Sequence, residues 1–261
     1  MKVVLNEKDK VSKFACIFKH LKQLSTDINM YFSEDGLYTQ GMDGAHVCLF
    51  ELSLQSKWFS SYEVEKDITI GVNCELIFKV LNCLEEFQSI EITYNEGDKL
   101  NLKLTPNEGV RGIVKEFEMP LVDIDSAVLE IPETDYSADI EIISNEFREL
   151  ISQLSIFGSE ITFNCCDEIK ITGTGEYGVM NALISENDIT MYQIEEDTEL
   201  NLTFSGKYLQ EMCSFSKVNS SINLHFSNDT PMKMQYNIDE EDEEESLNYI
   251  RFFLAPKIQD F

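Results

Sequence analysis

Apolar residues recur along this chain with two periods, and the switching between them sets out its elements. Val11, Phe14, Ile17, Phe18, Leu21 and Leu24 follow the spacing of an amphipathic helix. Leu76, Ile77, Val80, Leu81 and Leu84 do the same after Asn73, a good helix N-cap. Two further helices are predicted from Phe147, Leu150, Ile151 and Leu154 behind the cap candidate Ser144, and from Tyr208, Leu209, Met212 and Phe215 behind Ser205. Runs of β-type alternation fill the intervals: ITIGV (68–72), SIEITY (89–94), KLNLKL (99–104), EIKIT (168–172), INLHF (222–226) and MKMQY (232–236). The turn-type links NEGD (95–98) and SNDT (227–230) make antiparallel hairpins of their flanking strands.

The pattern repeats itself. A shift of about 132 positions lays INMYFSEDGLYTQGM (28–42) over EITFNCCDEIKITGT (160–174), and SIEITYNEGDKLNLKL (89–104) over SINLHFSNDTPMKMQY (221–236). The four helices obey nearly the same offset. Two segments far apart in the chain sharing one offset imply two similar domains. Each half holds two helix-plus-strand units, and helices laid on antiparallel sheets define an α+β class. The expected division is 1–117 and 136–261, with 118–135 as a connector of mixed acidic and apolar residues containing Pro120 and Pro132. Val128, Leu129 and Ile131 on that connector belong either to a strand of the next domain or to a docking surface.

Composition adds several constraints. The 261 residues, 43% hydrophobic, suffice for two cores of roughly 130 residues each. No apolar stretch approaches the ~20 residues of a membrane helix, and the N-terminus lacks the apolar region of a signal peptide, so a soluble intracellular protein is expected. Seven cysteines form no CxxC pair and only three histidines are present, so no metal or other cofactor is expected and the thiols read as reduced. A net charge of −28 disfavours indiscriminate nucleic-acid binding. Its distribution is uneven, however. Residues 11–24 hold Lys13, Lys19 and Lys22 without an acid, 205–218 hold Lys207 and Lys217 against Glu211, and the other two helices are only mildly acidic. The negative charge therefore lies outside the helices, as in the run DEEDEEE at 239–245, which reads as a hydrated surface loop. Near-neutral helices in so acidic a chain suit presentation to a polyanion, where lysine–phosphate contacts need no base reading.

One enzyme-like motif is present. Gly173, Gly175 and Gly178 fit GxGxxG after a predicted strand, with Glu195 about 20 residues on. The dinucleotide fingerprint also needs a helix opening on the last glycine, and VMNALISENDITMY continues as a β-like run instead. A glycine-rich strand connection is the better reading. No GxSxG, HExxH or Walker A sequence occurs, and His20, His46 and His225 are widely separated, so no enzyme is expected.

Met42-Asp43-Gly44-Ala45-His46-Val47, GVN at 71–73, SxEF at 144–147 and above all Leu254-Ala255-Pro256-Lys257-Ile258 resemble the proliferating cell nuclear antigen family of eukaryotic and viral DNA sliding clamps. The resemblance runs over essentially the whole chain. It implies a two-domain clamp (processivity) fold with four helices inside and sheets outside, in a homotrimeric ring around double-stranded DNA. Such a ring is a polymerase processivity factor for DNA replication and repair, does no chemistry, is opened by a clamp loader, and works in the nucleus or a viral replication compartment. Subunits are expected to join through 112–119 of one chain and 178–185 of the next. By resemblance, Lys13, Lys19, Lys22, Lys79, Arg148, Lys207 and Lys217 face DNA. Met42, His46, Val47, Leu129, Ile131, Pro132, Pro231, Ala255, Pro256 and Ile258 form the pocket for partner peptides carrying an aliphatic residue and two aromatics, which assigns the connector to docking. Asn82, Glu149, Ser152, Ile156 and Ser214 stand where the family is basic, and Cys166 stands at its main ubiquitin-accepting lysine. The thinned positive face keeps an alternative open: a clamp-like scaffold or a subunit of a heteromeric checkpoint-type clamp.

Overall fold

The structure, a computed structural model, describes residues 1–176, 178–185, 188–239 and 247–257. In chain order the first half comprises β1 (Lys2–Leu5), α1 (Lys8–His20), β2 (Asp27–Phe32), β3 (Gly36–Met42), β4 (Cys48–Gln55), β5 (Ser61–Glu63), β6 (Ile68–Asn73), α2 (Cys74–Leu81), β7 (Gln88–Thr93), β8 (Lys99–Pro106) and β9 (Lys115–Pro120). The second comprises β10 (Ala138–Ile143), α3 (Ser144–Phe157), β11 (Glu160–Cys165), β12 (Ile169–Gly175), β13 (Gly178–Ile184), β14 (Met191–Ile194), β15 (Leu200–Ser205), α4 (Gly206–Cys213), β16 (Ser221–Phe226), β17 (Met232–Asn237) and β18 (Tyr249–Leu254). Two compact units result. The first takes Met1–Gly44 and Glu51–Leu129 with a short segment ending at Tyr249; the second takes Ala45–Phe50, the chain from Glu130, and the stretch from Ile250. The α+β class expected from the pattern is what forms.

In the first unit the strand order is β5-β1-β7-β8-β9 in one sheet, and β4, β3, β2 and β6 are successive neighbours in the other. The predicted hairpin is present: β7 and β8 pair antiparallel, with the buried pairs Ile90–Leu104 and Ile92–Leu102 on one face. Helices α1 and α2 pack on each other, α1 against β7 and α2 against β6. Their buried stripes are Phe14, Ile17 and Phe18 on α1, with the first and last rings 4.4 Å apart, and Ile77, Val80 and Leu81 on α2.

The second unit repeats this plan. Strands β14, β10, β16, β17 and β18 are successive neighbours, and the order β13-β12-β11-β15 makes the other sheet. Pairing Asp27–Asn73 of β2 and β6 recurs as Glu160–Ser205 of β11 and β15, so the repeat extends to register, but β2 and β11 are related by 133 positions and not 132. The buried Ile28 matches Ile161, one place on from the sequence alignment, because each must face the core of its own unit. Phe163 lies at the centre of the core, with its ring 6.5 Å from Phe147, 5.8 Å from Phe204 and 5.2 Å from Phe226.

Several boundaries differ from the pattern. The cap predicted at Asn73 forms, its Oδ1 accepting the Leu76 amide at 3.1 Å. Ser144 does not cap α3. Strand β10 runs straight into the helix, so Ile143 occupies the cap position and Ser144 is the first helical residue. Helix α1 begins at Lys8, ahead of its apolar stripe, and ends in a 3-10 turn at Leu21–Gln23. The connector gives its first residues to β9 and has no regular element from there to Ser137.

The glycines of the GxGxxG stretch have a packing explanation. Strands β12 and β13 form a hairpin in which Gly175 pairs with Gly178, so no helix follows and the nucleotide fingerprint is absent. The end of α3 lies directly over β12. A Cβ on Gly173 would sit 2.5 Å from the Leu154 carbonyl oxygen, and one on Gly175 would sit 2.0 Å from that of Phe157. Backbone rests on backbone there, and only glycine allows it. Gly175→Ala should therefore destabilise the chain by about 1–3 kcal/mol, the range for overpacking. Urea denaturation of the full chain tests this, and an unchanged midpoint would refute the close approach.

Candidate functional site

The predicted basic residues sit on or just beyond the helices, and their surroundings differ. Lys22 is half-buried; its Nζ lies 3.3 Å from Glu75 and 3.2 Å from the centroid of the Phe78 ring. Lys79, exposed one turn along α2, has Glu75 at 3.9 Å. One carboxylate on α2 therefore serves two lysines. On α4, Lys207 is exposed with Glu211 at 3.7 Å. Arg148 lies half-buried on α3 and donates from Nη1 to Ser216 Oγ at 3.4 Å. Lys19 and Lys217 form no ion pair among the described residues.

Lys13 departs from expectation. It is only 7% exposed, and its ammonium pairs with Asp9 at 2.9 Å, so it adds little to any exposed positive face. Sequence counting missed this because α1 starts a turn before its apolar stripe and so brings Asp9 onto the helix. Of the positions that the resemblance expects to be basic, Asn82, Glu149, Ser152 and Ile156 are exposed, the last at 73%. Exposed ion pairs are individually weak, typically about 0.2–1 kcal/mol. They still compete with any phosphate that approaches the same ammonium.

The predicted docking residues divide between the units. Met42 and Leu129 belong to the first. There the connector is tied down by polar contacts: the Val122 amide donates to the Gly71 carbonyl at 2.9 Å, and Asn29 Nδ2 donates to the Ile124 carbonyl at 3.2 Å. Gln40 grips Leu129 from both sides, with Nε2 donating to its carbonyl at 3.0 Å and Oε1 accepting its amide at 2.8 Å. A Cβ on Gly71 would lie 1.9 Å from the Val122 carbonyl oxygen, so the glycine is what lets the connector lie so close. The backbone is held while the side chains of Val128 and Leu129 stay exposed, the second at 49%.

In the second unit, the Ala255 amide donates to the Val47 carbonyl at 3.0 Å, joining the His46–Val47 turn to the end of β18. His46 is exposed and adopts φ of 59°, a left-handed conformation uncommon outside glycine. Pro132 and Pro231 are exposed, and Ile131, Ala255 and Pro256 are half-buried. Ile258 lies outside the described residues, as do Tyr177 of the glycine motif and 240–245 of the acidic run.

Two sheet edges complete the set. Strand β9 is the last strand of its sheet, preceded by exposed Ile113 (73%) and Val114, and β13 is the last of its own, with exposed Val179 and Leu183 (71%). Edges with unpaired backbone groups and apolar side chains template the pairing of another chain. Among the described residues no group of His, Cys, Asp and Glu is placed to hold a metal, and no helix is long and apolar enough to cross a membrane.

A doubled α+β body, with two short helices on antiparallel sheets in each half and basic residues on or just beyond those helices, is the architecture of a DNA clamp. The family models described as "Proliferating cell nuclear antigen, N-terminal domain" and "Proliferating cell nuclear antigen, C-terminal domain" match residues 6–128 and 130–257. Proliferating cell nuclear antigen of Chaetomium thermophilum is 31% identical over 247 residues, covering 92% of each chain. Proliferating cell nuclear antigen 2 of Drosophila melanogaster is 27% identical over 242 residues, again covering 92% of each. The chain belongs to the proliferating cell nuclear antigen family, the non-enzymatic sliding clamps of DNA replication and repair.

The seven thiols separate sharply. Cys83 and Cys166 are exposed, and the other five are buried. Burial pushes the Cys74 and Cys165 thiols up to about 12, with the nearby Asp27 adding to the first and Cys166 to the second, and it raises Cys213 as well. Since the thiolate is the reactive form, maleimide at about pH 8 should modify only Cys83 and Cys166 in the folded chain. Mass spectrometry reads the result, and rapid labelling of any third cysteine would contradict this burial.

Proposed function

We propose that this chain is a homotrimeric sliding clamp that encircles duplex DNA in the nucleus, or in a viral replication compartment, and tethers polymerase and repair enzymes to it. The observation that carries the reading is the pair of family matches spanning both domains, 6–128 and 130–257. Three chains join head to tail, 112–119 of one pairing with 178–185 of the next, and the exposed apolar edges at Ile113 and Leu183 support this closure. Lys19, Lys22, Lys79, Arg148, Lys207 and Lys217 contact phosphates, with Lys13 in a minor role; such contacts carry no sequence information and permit sliding. A clamp loader opens the ring. Partner peptides dock an aliphatic and two aromatic side chains on Met42, His46, Val47, Leu129, Ile131, Pro132, Pro231, Ala255, Pro256 and Ile258. The domains divide at the connector, 118–135.

A second reading has its own support. Carboxylates beside Lys22, Lys79 and Lys207 weaken the positive face and favour a heteromeric clamp subunit or scaffold. Sedimentation equilibrium separates the two. A mass of about 90 kDa, three times the 30.0 kDa chain, is expected. A stable species of single-chain mass would sink the homotrimer.

Replacing Lys22, Lys79 and Lys207 together with Ala should abolish stimulation of a polymerase on a long template. Glu75→Gln should act in the opposite direction, tightening DNA binding about fivefold at low salt by releasing two lysines at once. Unchanged stimulation in the triple variant would show that these lysines are not the contacts.

A further inference from the structure

The solvent face of the second unit's sheet carries a row of charged groups that neither the repeat nor the DNA-facing helices require. Register places Asp139 of β10 opposite His225 of β16, and His225 opposite Lys233 of β17. Arg251 lies on the next strand, β18. The ring of Tyr136 lies beside the middle of the row, its centroid 5.4 Å from that of His225 and 5.2 Å from Lys233 Nζ.

The acid of the row is already engaged, because Asp139 Oδ1 is hydrogen bonded to His225 Nδ1. Lys233 is half-buried and has no carboxylate within ion-pair distance among the described residues. Burial first, and the positive Arg251 second, hold its ammonium below the usual lysine range, while Asp139 opposes them. A partly desolvated cation beside a second cation is an unfavourable arrangement. In a chain of net charge −28 with 48 acidic residues, an ammonium with no acid at ion-pair distance among the described residues is conspicuous. An anion delivered to this point would gain a charge-assisted contact with the Lys233 ammonium.

The position of the row indicates what brings the anion. Lys233 is two residues along the strand direction from Pro231, and side chains two apart project from the same face. Pro231 belongs to the proposed peptide-docking set, so the row borders that surface and this inference rests on that reading. A long polyanion is repelled by the surrounding negative charge, whereas one carboxylate on a short peptide meets little of it.

We infer that Lys233 forms an acidic-residue subsite beside the docking surface and selects partner peptides that carry an Asp or Glu next to their apolar anchors. The Tyr136 ring and the His225–Asp139 pair position the subsite, the pair by keeping the neighbouring carboxylate off Lys233.

Fluorescence anisotropy of labelled peptides with the full chain tests this. A peptide with one aliphatic and two aromatic anchors is made with Asp at each non-anchor position in turn, and with Asn at the same positions as control. At one position Asp should bind about tenfold tighter than Asn, as a charge-assisted hydrogen bond predicts. Lys233→Met should bind the two peptides alike. Equal affinity of the Asp and Asn peptides at every position overturns the subsite and leaves the docking reading standing, as does an Asp preference that survives Lys233→Met. Failure of every peptide to bind overturns the docking reading and the subsite with it.

Discussion

The helices of this protein are too short to stand by themselves, and most of the architecture follows from that. Helices α2 and α4 have 8 residues each, and even α3 has only 14. Isolated helices of this length are marginal in water because the first turn costs more than later ones return. Each therefore exists by burying one apolar stripe on a sheet and against its helical partner. Phe147, Ile151 and Leu154 on α3, and Leu209 and Met212 on α4, are fully buried for this reason. What remains of each helix is a polar face, which carries Lys19 on α1, Lys79 on α2, Arg148 on α3 and Lys207 on α4.

That dependence explains which features were legible in the sequence. A stripe that must be buried has to keep its period, and strands that support it have to alternate, so helices, hairpins and the repeat could all be read directly. Ends were less legible. The cap at Asn73 depends on a local side-chain bond and was readable, whereas the start of α3 depends on β10 running into it without a break. The environment of charged groups was legible least of all. Lys13 counted as an exposed cation until the helix start brought Asp9 to it, and the sharing of Glu75 by Lys22 and Lys79 joins residues more than fifty positions apart. The proposed docking residues come from family resemblance alone, because exposed apolar residues such as Leu129 carry no periodic signal.

The glycine-rich hairpin shows how one sequence pattern can arise from two different needs. A dinucleotide fingerprint requires glycine so that backbone can approach a pyrophosphate. Here the backbone of β12 approaches the carbonyls at the end of α3 instead. Both demand a missing Cβ at alternate positions, and only the following element distinguishes them.

The carboxylate shared by Lys22 and Lys79 also bears on the thermodynamic character of any polyanion binding. Lysines in free solution gather mobile counter-ions, and the phosphates they meet do the same; releasing those ions into bulk is an entropic drive. A carboxylate fixed to α2 cannot leave. When a phosphate displaces it, the ammonium exchanges one tethered partner for another and little translational freedom is released on the protein side. Heat rather than entropy would then be the better witness of whether these lysines take part.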